Sequence, residues 1–86
     1  MSKDQRYNGW KNHDTWNIAL WFGNEEALYR SVAEHQRPFT TQSARRLVME
    51  TFPEGTPDMR QLPGRKYAGV SFAEIRDDFN SMREGA

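Results

Sequence analysis

The sequence contains no cysteine, and this absence excludes disulfides, thiol catalysis and cysteine-ligated zinc. It carries no net charge, because 12 basic and 12 acidic side chains cancel, so no overall field attracts nucleic acid or an anionic membrane. Hydrophobic residues make up only 36% of its 86 residues, and no apolar run is long enough to span a bilayer. No segment resembles a signal peptide, and we therefore expect a cytoplasmic protein without a membrane partner.

Catalytic signatures are missing as well. Neither of the two glycine patterns that cradle phosphates occurs. His13 and His35 have no matching carboxylates at ligand spacing, whereas a zinc site needs three or four ligands. Asp77 and Asp78 are adjacent, so their side chains diverge around a helix and form no carboxylate dyad. We expect no enzymatic activity, no metal and no cofactor.

Aromatic residues are plentiful, at 13% of the chain, and all three tryptophans fall within the stretch YNGWKNHDTWNIALWF at residues 7–22. This stretch predicts a helix over residues 13–22 around which the chain folds. Asn12 or Asp14 can cap its start, because a short polar side chain accepts a hydrogen bond from a free N–H of the first turn. Gly23 suits its end.

Apolar side chains occupy every face of this predicted helix, at about 100° per residue. Trp16, Ala19 and Leu20 share one face, Ile18 and Phe22 share another, and Trp21 lies on a third. A helix that is apolar all round is normally buried on several sides, which predicts a central core helix. The alternative is an exposed aromatic patch that binds a partner.

The same stretch resembles the opening signature of a family of small uncharacterised proteins of phages, prophages and plasmids. The signature reads Tyr-Asn-Gly-Trp-x-Asn-x-x-Thr-Trp and is followed by an aliphatic run that ends in Leu-Trp. It is matched here by Tyr7, Asn8, Gly9, Trp10, Asn12, Thr15, Trp16, Leu20 and Trp21. The resemblance covers residues 7–30 and implies a mobile genetic element, but it carries no catalytic residues across.

Caps and apolar stripes predict three further helices, at residues 25–36, 41–52 and 72–84. Asn24 is the expected cap of the first, Thr40 or Thr41 of the second, and Ser71 forms an expected capping box with Glu74. Residues 53–70 carry most of the prolines and glycines and are predicted as a loop, and residues 1–6 as a disordered tail. The prediction is a single all-α domain, a compact bundle of about four short helices with a long irregular loop before the C-terminal helix.

The predicted core gathers the large apolar side chains of these helices. It consists of Trp10, Trp16, Leu20, Trp21, Phe52, Ile75 and Phe79. We expect Trp16 and Leu20 to be buried in it, with Phe52, Ile75 and Phe79 among their neighbours.

The candidate binding surface is the mildly basic middle of the chain, where arginines surround an aromatic residue. It comprises Arg45, Arg46, Arg60, Arg65, Lys66 and Tyr67. The leading hypothesis is a mobile-element protein that binds and inhibits a host protein in the host cytoplasm, as anti-restriction and anti-CRISPR proteins do. The alternatives are a nucleic-acid or nucleotide binder that uses this basic segment, since basic groups interleaved with an aromatic suit single strands, and a homo-oligomeric structural protein.

Overall fold

Four α-helices make up most of residues 7–58 and 67–85, which are the residues that the computed structural model describes. They are α1 (His13–Asn24), α2 (Glu26–Ala33), α3 (Thr41–Thr51) and α4 (Phe72–Gly85). Within these residues there is no strand, only an isolated antiparallel bridge between Tyr7 and Trp10. The all-α prediction is confirmed. The predicted tail and residues 59–66 of the predicted loop lie outside the described residues, and the described parts of that loop contain turns but no helix.

Side-chain caps begin three of the helices where the sequence predicts them. The Asn12 side-chain oxygen accepts a hydrogen bond from the Thr15 backbone N–H at 2.9 Å, and α1 starts there. Thr40 and Ser43 form a reciprocal capping box at α3. Ser71 Oγ accepts from the backbone N–H of Glu74 at 3.2 Å at the start of α4. Each cap satisfies an N–H that has no partner within its helix.

Two predicted capping details are wrong. α1 continues through Gly23 to Asn24, so Glu25 rather than Asn24 precedes α2, and its side chain makes no capping hydrogen bond. The box at Ser71 is only half formed, because the Ser71 backbone N–H, which the box would direct to the Glu74 side chain, donates to Thr15 Oγ1 at 3.0 Å. A long-range partner has replaced the local one in that case.

The core is organised around α4, which packs against α1, α2 and α3, while α1 also packs against α2. Phe79 of α4 lies at its centre, with its ring 5.0 Å from the rings of both Phe22 and Phe39. Asn80 holds the chain just before α3, because its side chain accepts from the Phe39 N–H at 2.7 Å and donates to the Phe39 carbonyl at 3.0 Å. The predicted core residues Ile75 and Phe79 are fully buried.

The buried face of α1 differs from the predicted one. It combines two polar with three apolar residues: Thr15, Asn17, Ile18, Ala19 and Phe22 are buried, and Trp16 and Trp21 are only half-buried. Leu20 is 39% exposed, so its predicted burial is wrong. The face is selected by long-range hydrogen bonds, one from Thr56 to the Asn17 side chain and one from Ser71 to Thr15, which turn these polar residues inward.

The ring partners of Trp16 differ from the predicted Phe52 and Phe79. Its ring packs on Tyr7 and His13, with centroids 4.8 and 5.4 Å away, at the outer surface of α1. Phe52 instead contacts Trp21 and Phe22. Trp10 and Phe52 are partly buried against the core.

Tyr67 is buried, at 6% exposure, and is not part of an open binding surface as predicted. Its hydroxyl donates a hydrogen bond to the Phe52 carbonyl, and its ring packs on Phe72. It has a positive φ of 66°, which is uncommon for a residue with a side chain, and this conformation directs the chain into α4. The hydroxyl is a second donor to this carbonyl, which also accepts from the Gly55 backbone N–H at 3.0 Å.

None of the described helices is both long and apolar enough to cross a membrane.

Candidate functional site: an aromatic groove on the outer face of α1

An open groove of about 350 Å³ runs along the outer face of α1. Its walls come from α1, from α2, from α4 and from the turn before α1: Trp10, Trp16, Ala19, Leu20, Gly23, Asn24, Tyr29, Asp78 and Met82. We call this feature the aromatic groove. Leu20, on its wall, is the one exposed large hydrophobic side chain of the described residues.

A tight turn places Trp10 at one wall of the aromatic groove. The backbone N–H groups of Tyr7 and Trp10 each donate to the other residue's carbonyl, at 2.7 and 2.8 Å. Between them Asn8 and Gly9 both have positive φ, 51° and 87°, which is the geometry of a type I′ turn. The Asn-Gly pair favours this turn, because both residues adopt positive φ more readily than other residues do.

Trp16 is held from behind by other rings. Tyr7 packs against both Trp16 and His13, and His13 Nδ1 lies 3.1 Å from a carboxylate oxygen of Asp14. Rings packed in this way restrict the motion of the indole without covering it fully, as its half-buried state shows. Because an immobilised side chain loses little entropy on binding, such a surface is suited to contact with a partner.

Leu20 also lines a second hollow, of about 240 Å³, on its other side. The remaining residues of that hollow are Trp21, Asn24, Glu25 and Asp58. Leu20 therefore stands between two concave surfaces, and an incoming side chain on either side would cover it.

The opposite end of the aromatic groove is acidic. A hollow of about 330 Å³ adjoins it there, lined by Gly9, Trp10, Glu74, Asp77 and Asp78. Trp10 and Asp78 line both spaces. Burial raises the pKa of the Asp78 carboxyl above its usual range, because a desolvated carboxylate is harder to ionise.

The basic surface predicted from the sequence is only partly described. Arg45 and Arg46 are exposed on α3, where they line a hollow of about 470 Å³ together with Gln42, Met49 and Glu50. Arg60, Arg65 and Lys66 lie outside the described residues, so their role stays a prediction. Tyr67 is buried elsewhere and cannot serve as a stacking platform beside the arginines.

Metal-ligating side chains do not converge in the parts of the chain that the structure describes. Across residues 7–58 and 67–85, no three His, Asp or Glu residues come close enough to hold an ion. His35 lies apart from His13, with its ring stacked on Phe39 at 4.1 Å and its Nδ1 2.7 Å from the Arg37 carbonyl oxygen.

From the sequence, an exposed aromatic patch is only the alternative to a buried core helix, and a groove between helices is not predicted. One signal was available for the groove: α1 has more large apolar residues than one buried face can hold, so some had to remain outside. No local pattern indicates that Asp78, on a helix far along the chain, faces the same space.

The chain belongs to a family of unknown function, DUF7249, whose family model matches residues 3–60. The match includes the signature and α1 to α3, and it ends before α4. No curated protein and no solved structure matches the chain.

Proposed function

We propose that this protein is a small, non-enzymatic accessory protein of a phage or another mobile element, which binds a host protein in the host cytoplasm and inhibits it. A component of host defence, such as a restriction or CRISPR system, is the expected target. The resemblance of residues 7–30 to the mobile-element signature supports the setting. The aromatic groove supports the mode of action.

The observation that carries the proposal is the division of the signature residues between two tasks. Asn12 and Thr15 form the cap of α1 and its link to α4, and so they maintain the fold. Trp10, Trp16 and Leu20 line the aromatic groove instead. Bulky apolar side chains held at an open concave surface are typical of a docking site, and tryptophan is enriched at the energetic centres of interfaces.

The test is a pull-down from nuclease-treated host lysate with the tagged protein and two variants. Leu20→Asn keeps the branched shape of the side chain but makes it polar at an exposed position, so it should fold and lose the partner. The control is the double variant Arg45→Glu with Arg46→Glu, on a different helix. We expect wild type and the arginine control to retain the same host protein and Leu20→Asn to lose it. The purified host protein should be inhibited by wild type but not by Leu20→Asn. Equal capture by all three proteins contradicts the proposal.

Nucleic-acid binding is the second candidate, and one observation favours it. Arg45 and Arg46 are adjacent and exposed, and neither forms a hydrogen bond or ion pair with another described residue. Should they contact phosphates, the lysate experiment without nuclease would retain nucleic acid, and the arginine double variant would release it. The log–log dependence of binding on salt would then have a slope of about −0.7 per single-strand phosphate contacted.

A homo-oligomeric structural protein is the third outcome of the same experiment. It requires that wild type retain neither a host protein nor nucleic acid and that it elute as an oligomer, with Leu20→Asn reverting to a monomer.

A further inference from the structure

We propose that the aromatic groove is a receptor for a basic side chain, preferably an arginine, on the surface of the bound protein, with Asp78 as its counter-ion and Trp10 and Trp16 as its walls. This inference rests on the proposed function, since it names the chemistry of the partner at the same groove.

Asp78 differs from the acidic residues beside it. The Glu74 carboxylate accepts a hydrogen bond from the Lys11 backbone at 2.8 Å, and the Asp77 carboxylate lies 2.9 Å from Nε of Arg76. Asp78 is half-buried, and within residues 7–58 and 67–85 nothing forms a hydrogen bond or an ion pair with it. A desolvated carboxylate without a partner is unfavourable. A cationic group of a ligand would therefore bind favourably here, because it would neutralise the Asp78 carboxylate.

The basic residues of the same helix are engaged elsewhere. Arg76 contacts Asp77 and also donates to Thr41 Oγ1 at 3.0 Å. Arg83 donates through Nε to the His35 carbonyl at 3.0 Å. Neither is therefore the missing counter-ion of Asp78.

The walls of the aromatic groove select the same kind of ligand. Trp10 lines the groove and the acidic hollow together with Asp78, and Trp16 and Tyr29 line the groove beyond it. Aromatic faces attract cations, most strongly at tryptophan. Arginine fits better than lysine, because its flat guanidinium stacks on rings, carries a weaker hydration shell and can donate two parallel hydrogen bonds to a carboxylate. Leu20 and Met82 then offer apolar surface to the stem of the side chain or to its neighbours.

The direct test uses a blocked arginine, N-acetyl-arginine methylamide, as the probe, followed by NMR of the tryptophan indole N–H signals. We expect the signals of Trp10 and Trp16 to shift on titration. Trp21 does not line the aromatic groove and supplies an internal reference. The corresponding citrulline compound has the same shape without the charge, and it should bind at least about tenfold more weakly, a difference of about 1.4 kcal/mol.

Two matched variants assign the effect to one carboxylate. Asp78→Asn should weaken binding of the arginine probe at least about tenfold. Glu26→Gln removes a carboxylate of α2 that already has Arg30 as its partner at 2.7 Å and lines neither the aromatic groove nor the acidic hollow, so it should bind the probe as wild type does. Equal affinities of wild type and Asp78→Asn, equal affinities of the arginine and citrulline probes, or unshifted Trp10 and Trp16 signals would each overturn the inference.

The same variants separate this inference from the proposed function. If Leu20→Asn loses the host protein but Asp78→Asn retains it, the function stands and the arginine receptor is wrong. If the arginine probe binds through Asp78 but no host protein depends on Leu20, the receptor stands and the proposed function is wrong. A third result is self-association of wild type that both the arginine probe and Asp78→Asn abolish. That result would assign the groove to a second copy of this chain and would overturn the inference that its partner is a different protein.

Discussion

Thr15 Oγ1 accepts a hydrogen bond from the backbone N–H of Ser71 at 3.0 Å, and it donates to the Asn12 side-chain oxygen at 2.7 Å. The start of α1 is thereby joined to the start of α4. The Asn12 amide strengthens the junction by donating to the Gly69 carbonyl at 2.7 Å. The threonine is fully buried, so no water can replace these bonds.

We predict that Thr15→Val lowers the free energy of unfolding by about 1–3 kcal/mol, because it leaves the Ser71 N–H without its buried acceptor while keeping the side-chain shape. Urea denaturation measures the change. Thr51→Val is the matched control, since Thr51 Oγ1 only donates to the Leu47 carbonyl within its own helix. Equal losses in the two variants would mean that the junction contributes nothing specific.

Trp16→Ala should destabilise the protein less than Phe22→Ala does, although tryptophan is the larger side chain. Phe22 is fully buried against Phe79, and its truncation should cost about 3–5 kcal/mol. Trp16 is half-buried on Tyr7 and His13, so its truncation should cost only about 1–2 kcal/mol. Thermal unfolding compares the two variants. A larger loss for Trp16→Ala would place this indole in the core, as the sequence predicted, and would weaken the case for the aromatic groove.

The helices could be predicted because their signals are local. Asn12, Thr40 and Ser71 each cap a helix within three residues of themselves, and the stripe that contains Ile75 and Phe79 becomes the buried face of α4. The predicted ends of the helices are less accurate. The predicted helix at residues 25–36 ends at Ala33, and the turn that follows includes a hydrogen bond from the His35 N–H to the Val32 carbonyl.

The buried face of α1 could not be predicted, because its apolar residues surround the axis and several faces are equally suitable. The decision is made by partners far along the chain: Thr56 bonds to Asn17, and Ser71 bonds to Thr15, at separations of 39 and 56 residues. The spacing of apolar residues along the sequence does not indicate either hydrogen bond. The same limit applies to Asp78, whose position beside Trp10 follows from the packing of α4 on α1.

Tyr67 should make the protein sensitive to alkaline pH. Burial raises the pKa of its hydroxyl to about 12, because the ionised form would lie in a desolvated site. The folded state therefore holds this proton more tightly than the unfolded chain, whose tyrosine has a pKa near 10. The resulting stabilisation is complete below about pH 10 and is lost as the pH rises through 12.

Tyr67→Phe isolates this contribution. At pH 7 the variant should lose about 1–2 kcal/mol, because the Phe52 carbonyl loses its hydroxyl donor. Between about pH 10 and 12 the difference from wild type should shrink, since wild type then loses its own advantage. Denaturation series at several pH values measure this convergence, and parallel curves would contradict it.

Asp78→Asn should leave the protein at least as stable as wild type at pH 7. In the folded state the pKa of Asp78 is raised by burial, so the ionised side chain costs stability at neutral pH, and this cost disappears as the pH falls through the folded pKa. The variant should therefore unfold at an equal or higher urea concentration at pH 7 and lose any advantage in acid. A clear loss of stability at pH 7 would show that Asp78 supports the fold, in which case a binding role would no longer explain its presence.

The junction between Thr15 and Ser71 also sets the order of events during synthesis. Its two residues are 56 positions apart. At a translation rate of about 5–20 residues per second, roughly 3–11 s pass between the incorporation of Thr15 and that of Ser71. Until then Thr15 lacks its hydrogen bond with the Ser71 N–H, and α4 does not yet cover Phe22. The nascent protein therefore presents its most apolar segment first and completes its fold last, which makes α1 the part of the chain that chaperones would meet on the ribosome.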